Sequence, residues 1–596
     1  MEIEQVTPEQ ITEEAFKKKV ISESIALLQK YKNGNQKYEQ KLIENEQWFK
    51  SRHWDYIRNA NFADDPEPVT SFLLSTLANK HADFMDFYPS ANALPREGDD
   101  KEEAKQLSKI LPIEFEYNDF KDTWDTHSWE KLKHGCGIFG VLYDPDGADG
   151  IGAGTVKEVD GLNIYHQPGI NKIDESGSVF ITRIITNEQF EEDYPDNDVK
   201  KAGKVFEPSK YLNDDTIDLT DCTVMIDRYY KKRNEMGKKI LHLLQFAGEE
   251  LIYCSELDEE LTADGRPRKD VGIYAHGKFP FFFDTLFPEK NSIRGFGLID
   301  IARNPQLYID KLDQIIVRNA FTSGRNRHLV SESSSINEAE FLDVSKDIVH
   351  FAGTLDDTKF RTLTTDSIAT DISNHRIQKI AEIKEITSTN DSSRGESASG
   401  VTAASAILAL QKASGKVSRA DINKSYSVFS NVVYCYVDII REFYDIPRPY
   451  RIQENKEDKF IEYSNAGIKN QELPVIPGME AEEKQYRKPI FDIKIVPERQ
   501  DPFSQAAHNE MAKELYTLGV FNPEAYMQAK VMFEMMSFEG MDEVLRMMGE
   551  NDQTMQLLSQ LPQLQVENQK LMMIVQKLTG EDMGVDLNGP SQVKPM

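Results

Sequence analysis

The chain has 596 residues, 39% of them apolar and 10% aromatic, and a formal net charge of −30 from 100 acidic and 70 basic side chains. That length accommodates three or four domains at roughly 100–200 residues each, and the apolar share excludes wholesale disorder. The acidic balance excludes a surface that grips nucleic acid generically, since such affinity comes from Lys and Arg neutralising phosphates.

The opening stretch, MEIEQVTPEQITEE, is acidic and polar and does not read as a signal peptide; residues 1–8 are expected to be poorly ordered, as are 584–596. Residues 9–60 read as helix, with Ile21, Ile25, Leu27 and Leu28 near helical spacing and Trp48-Phe49 and Trp54 after them. Asp64-Asp65-Pro66-Glu67-Pro68 breaks it. A second helix runs from Thr70 to about Phe87, ended by Pro89 and Pro95, and a third covers 102–133. From Gly135 to about Phe287 the pattern changes to short β runs: Ile138–Tyr143, Val179–Thr186, Thr223–Tyr230, Ile240–Phe246 and Phe279–Phe283. These predict a mixed or antiparallel sheet region. The run Phe279–Phe287 is too short to cross a bilayer and carries Asp284.

A helix opens after Gly295-Phe296-Gly297, passes through Leu298, Ile301, Leu307, Leu312, Ile315 and Ile316, and stops at Ser323-Gly324. Residues 325–366 form a short β-leaning module, and a second helix follows over about 368–388. The next stretch, to Gly400, is polar, small and without period, hence a flexible loop. Helix resumes at Val401–Lys412 and Val417–Tyr444, where Pro447 and Pro449 end it; 459–497 returns to loops and strands, and from Gln505 the chain is helical and rich in methionine. Near the end, Leu557, Leu561, Leu564, Asn568, Leu571, Val575 and Leu578 alternate spacings of four and three. That is a heptad seam with one polar a-position residue, read as self-association, or as an amphipathic helix packed on its own domain. The whole is an α+β chain.

Catalytic chemistry is not nominated anywhere. Cys136, Cys222, Cys254 and Cys435 are far apart with no CxxC, which excludes a disulfide scaffold and a zinc ribbon and suits a reducing interior. No Gly-Lys pair sits in a phosphate-binding P-loop, and neither HExxH nor GxSxG occurs. Asp144, Asp146 and Asp149 read as a hairpin turn rather than a calcium loop, because the ligand spacing is wrong. His127 and His134 read as packing residues, with a metal or catalytic role as the alternative, and acidic runs such as Asp258-Glu259-Glu260 read as solvated surface. No catalytic residue, metal ligand or cofactor is assigned.

The order of these segments resembles the portal proteins of tailed bacteriophages, closest to those of short-tailed phages, over about residues 35–450. The local patterns that carry it are Trp48-Phe49 and Trp54 with Pro66-Glu67-Pro68-Val69-Thr70, then His134-Gly-Cys-Gly-Ile-Phe-Gly140, then Phe279-Pro280 with Ser292-Ile-Arg-Gly295-Phe-Gly297, then Glu396-Ser-Ala-Ser-Gly400. The resemblance implies a portal fold. A wing would be helical over 1–134 and β-rich over 135–290. A first stem helix would lie within 291–324, a clip over 325–366 and a second stem helix within 367–388. A tunnel loop would span 389–400, long helices and return strands 401–500, and a helical crown or barrel 501–596.

It further implies a homo-oligomeric ring, usually a dodecamer, at one vertex of the capsid, assembled in the host cytoplasm and carried in the virion. Its expected partners are the major capsid protein, the packaging terminase ATPase, the tail adaptor and the double-stranded DNA that passes through the channel, with no membrane. Asn390, Asp391, Ser392, Ser393, Arg394, Gly395 and Glu396 would face DNA in the tunnel loop. Arg325, Arg327 and His328 would serve the clip interface. Leu561, Leu564, Asn568, Leu571, Val575 and Leu578 would serve oligomerisation. Mixed charge on the two stem helices (Asp310, Lys311, Asp313 and Arg318; Arg376, Lys379, Glu382, Lys384 and Glu385) suits contacts between unlike faces of neighbouring subunits, or plain solvated helix faces. The competing readings are a metal-dependent nucleic-acid enzyme and another oligomeric head or tail adaptor.

Overall fold

In the computed structural model a helix, α1, runs from Pro8 to Phe49. The structure describes residues 8–57, 65–198, 200, 202, 206–213, 220–234, 237–262, 266–323, 327–330, 337–342, 348, 350, 360–363, 370–389, 416–454, 457–469, 471–472, 486–497 and 570–571. The chain divides into two compact units, Met1–Arg499 and Gln500–Met596. In the second unit only Lys570 and Leu571 are described, as part of a helix.

Six further long helices are described in the first unit: α2 (Phe72–Asp86), α3 (Lys101–Tyr117), α4 (Phe120–His134), α5 (Leu298–Ser323), α6 (Thr370–Ile386) and α7 (Lys416–Phe443). The Ser71 hydroxyl accepts from Leu74 N and caps α2, filling one of the amides a helix start leaves free. The third helix expected over 102–133 is two helices. Asp119 takes φ 47°, a left-handed conformation that no helix interior tolerates, and the chain turns there. Pro89 and Pro95, read as helix terminators, bound a strand instead, β1 (Pro89–Pro95), which pairs with Phe491–Pro497.

The β runs expected between Gly135 and Phe287 are all strands. They form two antiparallel sheets: β2 (Cys136–Asp144) flanked by β3 (Ala153–Glu158) and β9 (Phe281–Thr285), and the meander β4 (Ile164–His166), β5 (Ser178–Thr186), β6 (Cys222–Arg233), β7 (Lys239–Ala247), β8 (Glu250–Cys254). Alternate residues of a strand face opposite sides of its sheet. Accordingly Phe180, Val224, Ile226, Leu244 and Phe246 pack against Ile21, Leu28 and Tyr31 of α1. Val179, Tyr229, Leu241 and Leu243 pack the other way, against Ile138 and Phe281 of the smaller sheet. The largest core joins α2, α3, α4, the start of α5 and α7 through residues such as Leu77, Leu107, Phe120, Trp124, Ile299, Phe429 and Tyr436. The turn after Asp144 is a hairpin turn, with Asp144 Oδ1 accepting from Asp146 N. Among the described residues no helix is long and apolar enough to cross a membrane.

Two glycine-bearing motifs meet in space. Gly135 ends α4 in the left-handed region (φ 90°), and a Cβ there would lie 2.1 Å from Phe296 C. Gly297 starts α5, and a Cβ there would lie 2.5 Å from Lys133 O. The end of one helix therefore abuts the start of another so closely that neither position admits a side chain.

An ion-pair group holds α1 to α4. Lys133 Nζ lies 2.9 Å from Glu46 Oε2 and 2.8 Å from Glu130 Oε1, with His134 Nε2 at 3.7 Å from Glu46. Burial alone would raise the Glu46 pKa, but His134 and Lys133 outweigh it and bring it down to about 2. A lowered carboxylate pKa stabilises the fold above the unfolded value near 4.5, and that contribution is lost as pH falls towards the folded value. Glu46→Gln is therefore expected to lower stability by up to about 3 kcal/mol at pH 7, with the penalty shrinking below pH ~4.5. Urea unfolding of both proteins at pH 7, 5 and 3.5 measures it; a penalty that does not change with pH would show that Glu46 acts through packing.

Candidate functional site

The residues around α5 and α6 form the candidate site. Asp300, in the first turn of α5, accepts from Gly297 N (2.8 Å), the reciprocal half of a capping box, and from Asn45 Nδ2 (3.1 Å). Lys41 Nζ lies 3.3 Å from the same carboxylate, and Arg303 bonds Glu44 at 3.0 Å. One turn further, Gln306 is fully buried. Its Nε2 donates to Thr70 O (2.9 Å) and its Oε1 accepts from Phe72 N (3.1 Å). Asp310, also fully buried, meets His53 Nδ1 at 2.7 Å and accepts from Gln306 Nε2 at 2.9 Å, while the His53 ring stacks on Trp48. The two tryptophan clusters noticed in the sequence thus brace the root of α5. The segment containing Pro66 and Pro68 wraps it, with Pro66 O accepting from Gln314 Nε2.

Beyond Asp313 this helix has no buried residue. Tyr308, Ile315 and Phe321 are exposed, Phe321 by 66%. α6 runs antiparallel beside it: Arg376 clasps Asp313 through both carboxylate oxygens, and three residues on, Lys379 lies over the Tyr308 ring at 5.7 Å. α6 carries Ile372, Ile377, Ile380, Ile383 and Ile386, yet Ile383 is its buried residue, and Ile377 is 62% exposed. At the far end of the pair, β10 (Arg327–Val330) and β11 (Phe360–Leu363) form an antiparallel ribbon, Arg327 opposite Leu363 and His328 opposite Thr362. After α6 the chain turns at Ser388 (φ 53°) and Thr389, which with Thr387 is buried.

The structure places the sequence-selected residues unevenly. Arg327 and His328 are on the ribbon strand; Arg325 lies outside the described residues. So do Asn390, Asp391, Ser392, Ser393, Arg394, Gly395 and Glu396, and Leu561, Leu564, Asn568, Val575 and Leu578. Leu571 is described, in a helix, and is exposed. Of the mixed charges on the helix pair, Asp310, Asp313 and Arg376 have their partners inside the chain. Arg318 lies 3.4 Å from Asp65, and Lys379 pairs with Glu382. His127 and His134 are packing residues. His127 stacks on Phe139 and meets Asp284 at 3.2 Å, and His134 lies beside Glu130 and Glu46.

Sequence reasoning missed two buried polar centres that hold this architecture. Lys131, without exposure, donates to both oxygens of Asp284 (2.8 and 3.0 Å) and to Ser425 Oγ (2.6 Å), joining α4, β9 and α7. Glu114 of α3 accepts from the hydroxyls of Tyr436 (2.6 Å), Tyr444 (2.8 Å) and Tyr450. Asp284 was visible as the one charge in an apolar run; nothing in the sequence singles out Glu114.

An α+β chain whose two central helices run antiparallel and end together in a small β ribbon fits the portal fold that the order of its segments implied. The family model described as phage P22-like portal protein matches residues 351–584, and over that stretch the chain is similar to the portal proteins of bacteriophages. The match takes in β11, α6, α7 and the segment beyond them, and extends past the region where the sequence patterns alone carried the likeness. No curated protein matches the chain.

Proposed function

We propose that this chain is the subunit of a ring, dodecameric as is usual for portals, at one vertex of the capsid. Double-stranded DNA enters through it during packaging and leaves through it at ejection. In this reading α5 and α6 are the stem, residues 325–366 the clip that docks the packaging ATPase and later the tail adaptor, and 389–400 the tunnel loop. Arg394 and its neighbours Asn390–Glu396 face the DNA there. Arg325, Arg327 and His328 serve the clip interface, and the seam of Leu561, Leu564, Asn568, Leu571, Val575 and Leu578 joins subunits. The ring is a passive conduit, and a separate ATPase drives the DNA. Host cytoplasm is where it assembles, and the major capsid protein surrounds it.

The observation that carries this reading is the helix pair. Tyr308, Ile315, Phe321, Ile377 and Ile386 are exposed on two adjoining helices whose ion pairs are already satisfied within the chain. A single subunit gains nothing from that arrangement, whereas a ring closed by head-to-tail contacts buries it. A subunit with excess acid also repels phosphate, which lets duplex slide through a ring without sticking.

The test is electron microscopy of the purified protein with mass photometry beside it. Rings with an axial hole wide enough for duplex DNA are expected. Monomers that cleave DNA when given Mg²⁺ would overturn the reading. Ile377→Glu is expected to abolish rings while leaving the melting temperature of the dissociated subunit unchanged, because the side chain is exposed there. Rings that persist in this variant would place the subunit contact elsewhere.

A further inference from the structure

Arg294 occupies an unusual position in this acidic chain. It lies between β9 and α5, is 3% exposed, and has no carboxylate partner among the described residues. Its Nη2 donates to Ile164 O at 2.7 Å and its guanidinium lies 4.3 Å from the centre of the Tyr38 ring. Among the described residues its Nε and Nη1 donate to nothing, and neither the Tyr38 hydroxyl nor His166 Nε2 has a partner. All three residues line one cleft of about 310 Å³ between α1, the β4–β5 connection and the segment leading into α5. His166 is 4% exposed, and its Nδ1 sits 2.9 Å from Gln167 O. Lys37 stands exposed on the rim.

The acids nearby do not answer the guanidinium. Asp300 is occupied by Lys41, Asn45 and Gly297 N. Glu289 is exposed on the rim, and the charges of Glu130 and Asp160 reach the Tyr38 hydroxyl without bonding Arg294. A buried cation with two donors unanswered among the described residues is costly unless an anion meets it. The side chains that carry these donors, the hydroxyl and the unpartnered imidazole nitrogen line the cleft, and the atoms themselves lie covered in its wall until a ligand parts it.

We propose that this cleft is a binding site for a small oxyanion, of the phosphate or carboxylate class, held by Arg294 Nε and Nη1 with Tyr38 and His166 beside it and Lys37 attracting it from the rim. Two sources offer that chemistry: a free phosphate-type ion, and an acidic side chain of a neighbouring subunit. The site itself does not depend on the ring reading; only the distinction between the sources does.

Inorganic phosphate titrated into the dissociated full-length subunit, followed by calorimetry and thermal melting, tests the site. Saturable binding with a rise in melting temperature is expected. Arg294→Gln is expected to weaken it at least about tenfold, the loss of a charge-assisted pair. Because that variant also loses the bond to Ile164 O, Lys37→Glu serves as a second one. It changes an exposed residue and is expected to weaken phosphate several-fold with the fold intact. Phosphate bound equally by the subunit and the ring identifies a free oxyanion. Phosphate bound by the subunit but excluded from the ring identifies a neighbour's carboxylate. Absence of saturable binding to the subunit, or binding indifferent to both substitutions, would overturn the proposal.

Discussion

Asp284→Ala is expected to destabilise the subunit by about 3–5 kcal/mol, enough to unfold a marginal protein. The reason is Lys131. Its ammonium is wholly buried, and Asp284 supplies the countercharge. Burial by itself would push the Asp284 carboxyl up, but Lys131 and His127 reverse this and hold it well below the usual carboxylate range. The carboxylate stays ionised, and its contribution is present above pH ~4 and lost as acid drives the pH down towards the folded value. With the carboxylate gone, the ammonium keeps Ser425 Oγ and a long contact to Asp421 O, neither of which carries a full charge. Lys131→Met alone should be nearly as costly, since it strands Asp284. The double change Asp284→Leu with Lys131→Met should recover most of the loss, because an apolar pair of similar volume needs no countercharge. Chemical denaturation of the unmodified protein, Asp284→Leu, Lys131→Met and the double variant closes the cycle. A double variant no better than the singles would mean that the pair is needed for the geometry of α4 against α7, not for charge balance.

Glu114→Ala should rank second, at about 3 kcal/mol or more. Three phenol hydroxyls, from Tyr436, Tyr444 and Tyr450, converge on this carboxylate of α3. Tyr444 OH also accepts from Gly154 N, and Tyr436 OH has Gly154 O at 3.1 Å. The group therefore joins α3, the β2–β3 hairpin, the end of α7 and the strand that follows it. Removing the acceptor leaves buried hydroxyls that must find other partners, and each one that fails costs about 1–3 kcal/mol. Glu114→Gln keeps one acceptor oxygen and should cost roughly half as much. Tyr450→Phe removes one donor and should cost about 1 kcal/mol. Equal losses for Glu114→Gln and Glu114→Ala would show that charge, and not hydrogen-bond capacity, matters at this position.

Both centres explain where reading the sequence stops short. α4 has the local sequence FKDTWDTHSWEKLKH, in which Lys131 looks like Lys121 or any other solvated lysine. Its burial is decided by Asp284, 153 residues further on, and by Ser425, 294 residues further on. The same holds for Glu114 and its tyrosines. β1 shows the same dependence in the backbone: Ser-Ala-Asn-Ala-Leu between two prolines carries little strand preference, and pairing with Phe491–Pro497 makes it a strand. The split between α3 and α4 depends on Asp119, whose left-handed φ the local sequence permits but does not demand.

What the sequence determined by itself is local. Hydrophobic periodicity predicted α5 and α6 to within a few residues of Leu298–Ser323 and Thr370–Ile386, and it found five strands of the two sheets, β2, β5, β6, β7 and β9, but named no run for β3, β4 or β8. Period is a property of neighbouring residues, so it survives without the fold. The sequence also carried, in the order of its segments, the likeness to portal proteins that the family match over residues 351–584 supports. The tertiary structure alone decided which charges are buried and answered, and which are not. Asp310 and Asp313, read as surface charges for a neighbouring subunit, turn inward to His53 and Arg376. Arg294, one arginine in a turn, becomes a buried cation with donors to spare. Burial and pairing depend on residues brought together from far apart in the chain, and no local pattern encodes that meeting.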